Sequence, residues 1–179
     1  MLADNQCGVD GVATESTDAQ RRKMLVVFFP EDSYTARLGA ELAWRCQADR
    51  EAIREPRARE GLGGCIRTAW QRITRSAAPI LPPRRKPADY DLVVIGTPAW
   101  GNGPAAPIRR YLSQHADQFK DVAFFCVTEH RHRATPAFAE MEQLCRHEPV
   151  AQFSVSPGRS GHRSVPNERL RRFVASLQS

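Results

Sequence analysis

One short segment carries residues that could hold a planar ligand. Residues 97–104 read Thr-Pro-Ala-Trp-Gly-Asn-Gly-Pro. The two prolines and two glycines favour a rigid loop over a continued strand or the start of a helix. Trp100 would offer a flat aromatic face on that loop for stacking on a ring. Packing of the indole over the edge of a sheet is the alternative interpretation.

The residues on either side of this loop define the elements that must position it. Residues 92–95 (Leu-Val-Val-Ile) form an unbroken apolar run, which is typical of a strand covered on both faces. Ile108, Tyr111 and Leu112 then repeat at helical spacing. The unit is predicted to be strand, loop and helix. Trp100 would lie at the carboxyl end of the strand, the edge at which open α/β sheets bind ligands.

The rest of the chain predicts four further strands that alternate with helices. Apolar runs or alternation predict these strands at residues 25–29, 51–54, 122–127 and 150–155. Helices are predicted around Leu38 and Leu42; Cys65, Ile66, Trp70 and Ile73; Phe138, Met141 and Cys145; and Leu170, Phe173, Val174 and Leu177. The proline-rich residues 78–87 predict a surface crossover. Strands and helices in this order predict an α/β fold with one doubly wound parallel sheet.

Length and composition fit a globular domain of 179 residues with 41% hydrophobic residues. Residues 1–23 hold few large apolar side chains, which predicts a disordered extension before a domain at residues 24–179. This extension has no apolar segment typical of a signal peptide, and no apolar run suits a membrane span. The five cysteines are scattered without a C-x-x-C pair, which argues against a disulfide framework or a structural zinc site. We therefore expect a cytoplasmic protein with reduced thiols.

The positive charge is concentrated in one part of the chain. The net charge is +6 at pH 7, and residues 50–86 contain ten arginines and lysines against three glutamates. Such a segment could contact nucleic acid or an acidic partner. It has Trp70 as its one aromatic residue, and its arginines are spread over several predicted elements. We favour a solvated basic surface, and nucleic acid is not an expected partner.

The string Y-D-x-x-x-x-G-T-P-x-W-G at residues 90–101, within this order of elements, resembles the flavodoxin-like family. The resemblance covers nearly all of residues 24–178 and is strongest to small bacterial flavodoxin-domain proteins. It implies five parallel strands in the order 2-1-3-4-5, with helices on both faces. It also implies that FMN binds where the order reverses, between strands one and three.

The resemblance carries cofactor contacts onto three loops of this chain. After strand three they are Thr97, Pro98, Ala99, Trp100, Gly101, Asn102 and Gly103, which would line the flavin ring. After strand one they are Ser33, Tyr34 and Thr35, and after strand four Thr128. The loop after strand one departs from the family's hydroxyl- and glycine-rich phosphate cradle. Pro30, Glu31 and Asp32 stand there, and two carboxylates oppose a phosphate.

The loop after strand four is also distinctive. Residues 129–133 read Glu-His-Arg-His-Arg. Their side chains could hold a phosphate or a nicotinamide cofactor, or donate a proton. We favour a solvated loop. Metal binding by His130 and His132 has little support without further ligands nearby.

Two classes of function are consistent with these residues. In the first, the chain is an FMN-binding redox protein, with electrons passed to a partner protein or taken from NAD(P)H. The flavin would then supply the chemistry. In the second, a degenerate flavodoxin-like module has lost FMN and acts in protein interaction or regulation. No nucleophile–base pair or carboxylate dyad supports hydrolysis. We place flavin binding first because the loop around Trp100 matches the family well, and the oligomeric state stays open.

Overall fold

The structure is a computed structural model that describes residues 22–56, 78–128, 134–157 and 167–178. Its strands are β1 (Met24–Phe28), β2 (Asp49–Ala52), β3 (Leu92–Trp100), β4 (Gly103–Pro104), β5 (Asp121–Val127) and β6 (Ala151–Val155). Its helices are α1 (Ser33–Cys46), α2 (Ala106–His115), α3 (Ala134–Cys145) and α4 (Asn167–Gln178). The helix predicted around Cys65 to Ile73 lies outside the described residues. None of the described helices is long and apolar enough to cross a membrane.

Five parallel strands form the sheet in the order β2-β1-β3-β5-β6, and β4 pairs antiparallel with the end of β3. The predicted order 2-1-3-4-5 is therefore confirmed for the parallel strands. The order reverses between β1 and β3, where Val27 pairs with Ile95 and Phe28 pairs with Gly96. The carboxyl ends of these two strands thus lie side by side.

Each face of the sheet packs against its own helices. Val93 and Ile95 belong to a core shared with α2 and α3. Leu92 and Val94 belong to a second core shared with α1 and α4. All four side chains are fully buried. A strand covered on both faces needs apolar residues at every position, which is why the run in β3 does not alternate.

The prediction for β2 was wrong by two residues. The strand spans Asp49–Ala52 instead of residues 51–54, and Leu25 pairs with Asp49. Its position is set by the hydrogen bonds that β1 offers, not by apolar residues of its own. Glu51 is consequently buried, and its carboxylate accepts a hydrogen bond from the backbone N–H of Arg84.

The described part of the basic segment lies along β2, at one edge of the sheet. Arg50, Arg54 and Arg84 are exposed. The guanidinium of Arg85 pairs with the carboxylate of Asp49 at 2.8 Å and donates a hydrogen bond to the Tyr90 hydroxyl. Arg50, Arg54 and Arg84 therefore give the outer strand an exposed basic surface.

The prediction that β3 stops before Thr97 was also wrong. β3 continues to Trp100, and residues 97–104 form a hairpin with β4, which we call the β3–β4 hairpin. The backbone carbonyl of Gly96 accepts a hydrogen bond from Phe29 on the β1 side. Pro98, two residues on, faces the same side, where β1 has already ended at Phe28. The missing N–H of Pro98 therefore costs the sheet no hydrogen bond.

Two residues of the predicted disordered extension belong to the folded domain. The backbone N–H of Lys23 donates to the Asp91 carboxylate at 3.0 Å, and its carbonyl accepts from the Asp91 N–H at 2.8 Å. The Arg22 guanidinium pairs with the Asp121 carboxylate. Residues 1–21 lie outside the described residues.

These contacts predict a difference between two truncations. Deleting residues 1–21, with a methionine before Arg22, is expected to leave the melting temperature unchanged. Deleting residues 1–23 leaves the Asp91 backbone N–H without its partner and should cost about 1–2 kcal/mol, roughly 2–8 °C in Tm. Thermal unfolding followed by circular dichroism measures both. A large loss on removal of residues 1–21 alone would contradict the predicted domain boundary.

Candidate functional site

Two loops meet at the carboxyl edge of β1 and β3, and we call the region between them the cleft. One is the β3–β4 hairpin, and the other is the segment that leads from β1 into α1, residues 30–35, which we call the α1 entry loop. The indole N–H of Trp100 donates to the carboxylate of Glu31. The indole also packs edge-on against Phe29, with ring centroids 5.9 Å apart and an interplanar angle of 85°. Trp100 stays partly exposed at this edge.

The base of the β3–β4 hairpin is fixed by Thr97. Its hydroxyl accepts a hydrogen bond from the Ala105 N–H at 2.9 Å and donates one to the Pro98 carbonyl at 2.9 Å. Thr97 is fully buried. Its hydroxyl is therefore used to hold the hairpin and does not face the cleft. At the tip, Gly101 adopts a left-handed conformation with φ of +62°, which glycine reaches without steric cost.

An ion pair between a buried arginine and a partly exposed glutamate lies under the β3–β4 hairpin. The Nε of Arg109 on α2 lies 2.5 Å from Glu140 Oε1 on α3, and its Nη2 lies 3.3 Å from Glu140 Oε2. A Cβ at Gly103 would overlap the end groups of both charged side chains, so the hairpin backbone lies directly against the pair. Sequence reasoning missed this pair. The available signal was Arg109 on the apolar face of α2, three residues before Leu112.

The α1 entry loop carries its own anion. Asp32 is the N-cap of α1. Its carboxylate accepts hydrogen bonds from the Thr35 backbone N–H at 2.5 Å and from the Thr35 hydroxyl at 2.9 Å. A carboxylate has two oxygens, so it can accept both bonds at once.

The three residues after Asp32 differ in access. Ser33 is exposed, whereas Thr35 is fully buried. Tyr34 is 8% exposed, and burial raises the pKa of its hydroxyl. The Arg37 guanidinium lies 5.7 Å from the centre of the Tyr34 ring. Of the predicted contacts in this loop, Ser33 alone presents its side chain freely to solvent.

The remaining predicted contacts lie at the same edge. Asn102 and Gly101 are exposed at the hairpin tip, and Ala99 is partly exposed. Thr128 is buried, and its backbone N–H donates to Val155 at 3.0 Å. Val127, the residue before it, pairs with Pro98, so Thr128 lies beside the hairpin.

The loop that contains His130 and His132 lies outside the described residues. Within the described ranges, no group of three His, Cys, Asp or Glu side chains could hold a metal ion.

This sheet order is the flavodoxin-like fold. A putative flavoprotein from Bacteroides eggerthii aligns with a TM-score of 0.67 and 15% identity, over 88% of this chain and 99% of that chain. A putative flavoprotein from Bacteroides uniformis aligns with a TM-score of 0.67 and 16% identity, over 86% of this chain and 98% of that chain. A flavoprotein in complex with FMN from Lactobacillus acidophilus aligns with a TM-score of 0.63 and 15% identity, over 74% and 93%.

No protein-family model matches the sequence, and no curated protein matches it significantly. Likeness at 15–16% identity establishes the fold.

Proposed function

We propose that this chain binds a flavin ring at the carboxyl edge of β1 and β3 and acts as a flavin-dependent redox protein. The observation that carries the proposal is the placement of Trp100. It lies on a hairpin held by Thr97 at the base and by the Arg109–Glu140 pair below, and it faces the point where the strand order reverses. Ligands of open α/β sheets bind at that point.

The side chains present suit the ring of a flavin. Trp100 would stack on the ring, since offset aromatic stacking adds about 0.5–1.5 kcal/mol beyond burial. The exposed backbone at Gly101 and Asn102 can donate hydrogen bonds to a polar ring edge. The flavin would supply the electron chemistry. We propose NAD(P)H or a redox partner protein as the source or acceptor of electrons.

The phosphate end of FMN does not suit the α1 entry loop. The Thr35 N–H and hydroxyl, which the family resemblance assigned to the phosphate, are both bonded to Asp32. Glu31 is bonded to Trp100 and adds a second carboxylate. Because the donors of Thr35 are bonded within the loop itself, a second candidate function is favoured. In it, the chain is a flavodoxin-like module that binds no flavin and acts in protein interaction or regulation.

Titration with free flavins tests the proposal. Adding the protein is expected to quench flavin fluorescence at micromolar concentrations, and Trp100→Ala should weaken binding by roughly 10- to 100-fold, because stacking on an aromatic side chain contributes about 1–3 kcal/mol. Trp44→Ala is a matched control. Trp44 is 76% exposed in the last turn of α1, at the other end of that helix from the cleft.

The outcome separates the two candidates. If Trp100→Ala and Trp44→Ala weaken flavin binding equally, Trp100 is not part of the flavin site. A wild-type protein that quenches no flavin would leave the interaction module as the better account.

A further inference from the structure

We infer that the flavin bound at this edge lacks the terminal phosphate, so that the ligand is riboflavin or a similar uncharged flavin rather than FMN. This inference rests on the proposed function and names the ligand class of that site. It is carried by the α1 entry loop, where the Asp32 carboxylate lies at the start of the helix and takes two of the donors that a phosphate would use.

Two donors at the start of α1, the backbone N–H and the hydroxyl of Thr35, are already bonded to Asp32. A helix N-terminus favours one anion through its free N–H groups and its dipole. Asp32 is that anion, since its two carboxylate oxygens bond the backbone N–H and the hydroxyl of Thr35. Thr35 is fully buried beneath this contact. A phosphate could reach these two donors only by displacing Asp32.

The charge of the α1 entry loop opposes a second anion. Asp32 and Glu31 are adjacent carboxylates, and Pro30 has no N–H to offer. Residues 30–37 contain one cation, Arg37, whose guanidinium lies over the Tyr34 ring. A phosphate dianion placed here would be repelled by two negative charges at short range.

The carboxylate of Glu31 suits an uncharged ribityl chain. A carboxylate only accepts hydrogen bonds, as does a phosphate dianion, whereas a hydroxyl can donate one. The hydroxyls of riboflavin are therefore complementary to Glu31 in a way that a phosphate is not. The carboxylate of Glu31 already reaches across the cleft to the Trp100 indole, which places an acceptor beside the ring platform.

Binding of riboflavin and FMN to the full chain tests the inference. Riboflavin is expected to bind at least about 10-fold more tightly than FMN, the factor that 1.4 kcal/mol of repulsion represents. Asp32→Ser keeps an N-cap but removes a charge. Asp32→Ser should tighten FMN binding about 10-fold or more, because it removes about 1.4 kcal/mol of repulsion that acts on the charged ligand alone. The dissociation constant for riboflavin should stay within about 3-fold of the wild-type value. Asp32→Asn repeats the test with the side-chain shape retained.

Asp117→Ser is the matched control, because this carboxylate is 93% exposed and follows α2 at its C-terminal end. It should change neither affinity. Wild-type FMN binding equal to or tighter than riboflavin binding would overturn the inference and leave the proposed function intact. The same holds if Asp32→Ser and Asp32→Asn fail to improve FMN binding. Binding of neither flavin to the wild type or to the Asp32 variants would overturn the proposed function and, with it, the inference.

Discussion

Glu140→Ala is expected to lower the free energy of unfolding by about 3 kcal/mol, or roughly 6–12 °C in Tm. Arg109 is 6% exposed, and its Nη1 already has no hydrogen-bond partner among the described residues. Removing the Glu140 carboxylate would leave the guanidinium buried without a counter-charge. The loss of a buried partner costs more than the pair itself contributes.

The exposed pair on α4 gives a matched control. Glu168 pairs with Arg172 at 2.9 Å, and both side chains are more than 60% exposed. Glu168→Ala should cost no more than about 0.5 kcal/mol. The double replacement Arg109→Met with Glu140→Leu should recover most of the stability lost in Glu140→Ala, since it removes both charges of the pair. Urea unfolding measures both variants. If Glu140→Ala and Glu168→Ala lower the free energy of unfolding equally, Arg109 finds another partner in the variant.

Gly96→Ala should also cost about 3 kcal/mol, at the upper end of the usual range for overpacking. Gly96 lies in β3 between Phe28 on β1 and Phe125 on β5. A Cβ there would overlap the Phe125 ring, which is fully buried and lies across the glycine. Because β3 is hydrogen-bonded on both sides at this point, the backbone cannot move away to make room.

Two further variants isolate the cause. Gly101→Ala places a Cβ where nothing lies within 4 Å, so it should cost only the strain of a left-handed residue, about 1–2 kcal/mol. Phe125→Leu frees space beside Gly96. When combined with Gly96→Ala it should cost less than the sum of the two single changes. If the losses in the free energy of unfolding from Gly96→Ala and Phe125→Leu simply add in the double variant, the proposed overlap between a Cβ at position 96 and the Phe125 ring is contradicted.

The sequence predicted the central strands because burial on both faces leaves a visible pattern. The runs in β1, β3 and β5 contain almost no polar residue, and each strand is covered by helices above and below. The outer strand β2 has no such pattern. Its residues Asp-Arg-Glu-Ala have low strand propensity. The bounds of β2 are set by its pairing with β1, from which it is separated in sequence by a helix.

The candidate site was predictable in its residue types but not in its contacts. Trp100 and the α1 entry loop could be named from local sequence, since each follows an apolar run. The bond between Trp100 and Glu31 joins residues 69 positions apart, and the Arg109–Glu140 pair spans 31 positions. Contacts of this range depend on the strand order and on the direction of each side chain, which local spacing does not encode.

The cap formed by Asp32 bears on how the domain folds. Its bonds to Thr35 span three residues, so they can form as soon as the first turn of α1 forms. Contacts between near neighbours in sequence carry little loop-closure entropy and form early. A bound phosphate would instead make this step depend on ligand concentration. Here the cap is made within the chain itself, so the first turn of α1 can be capped without a bound anion.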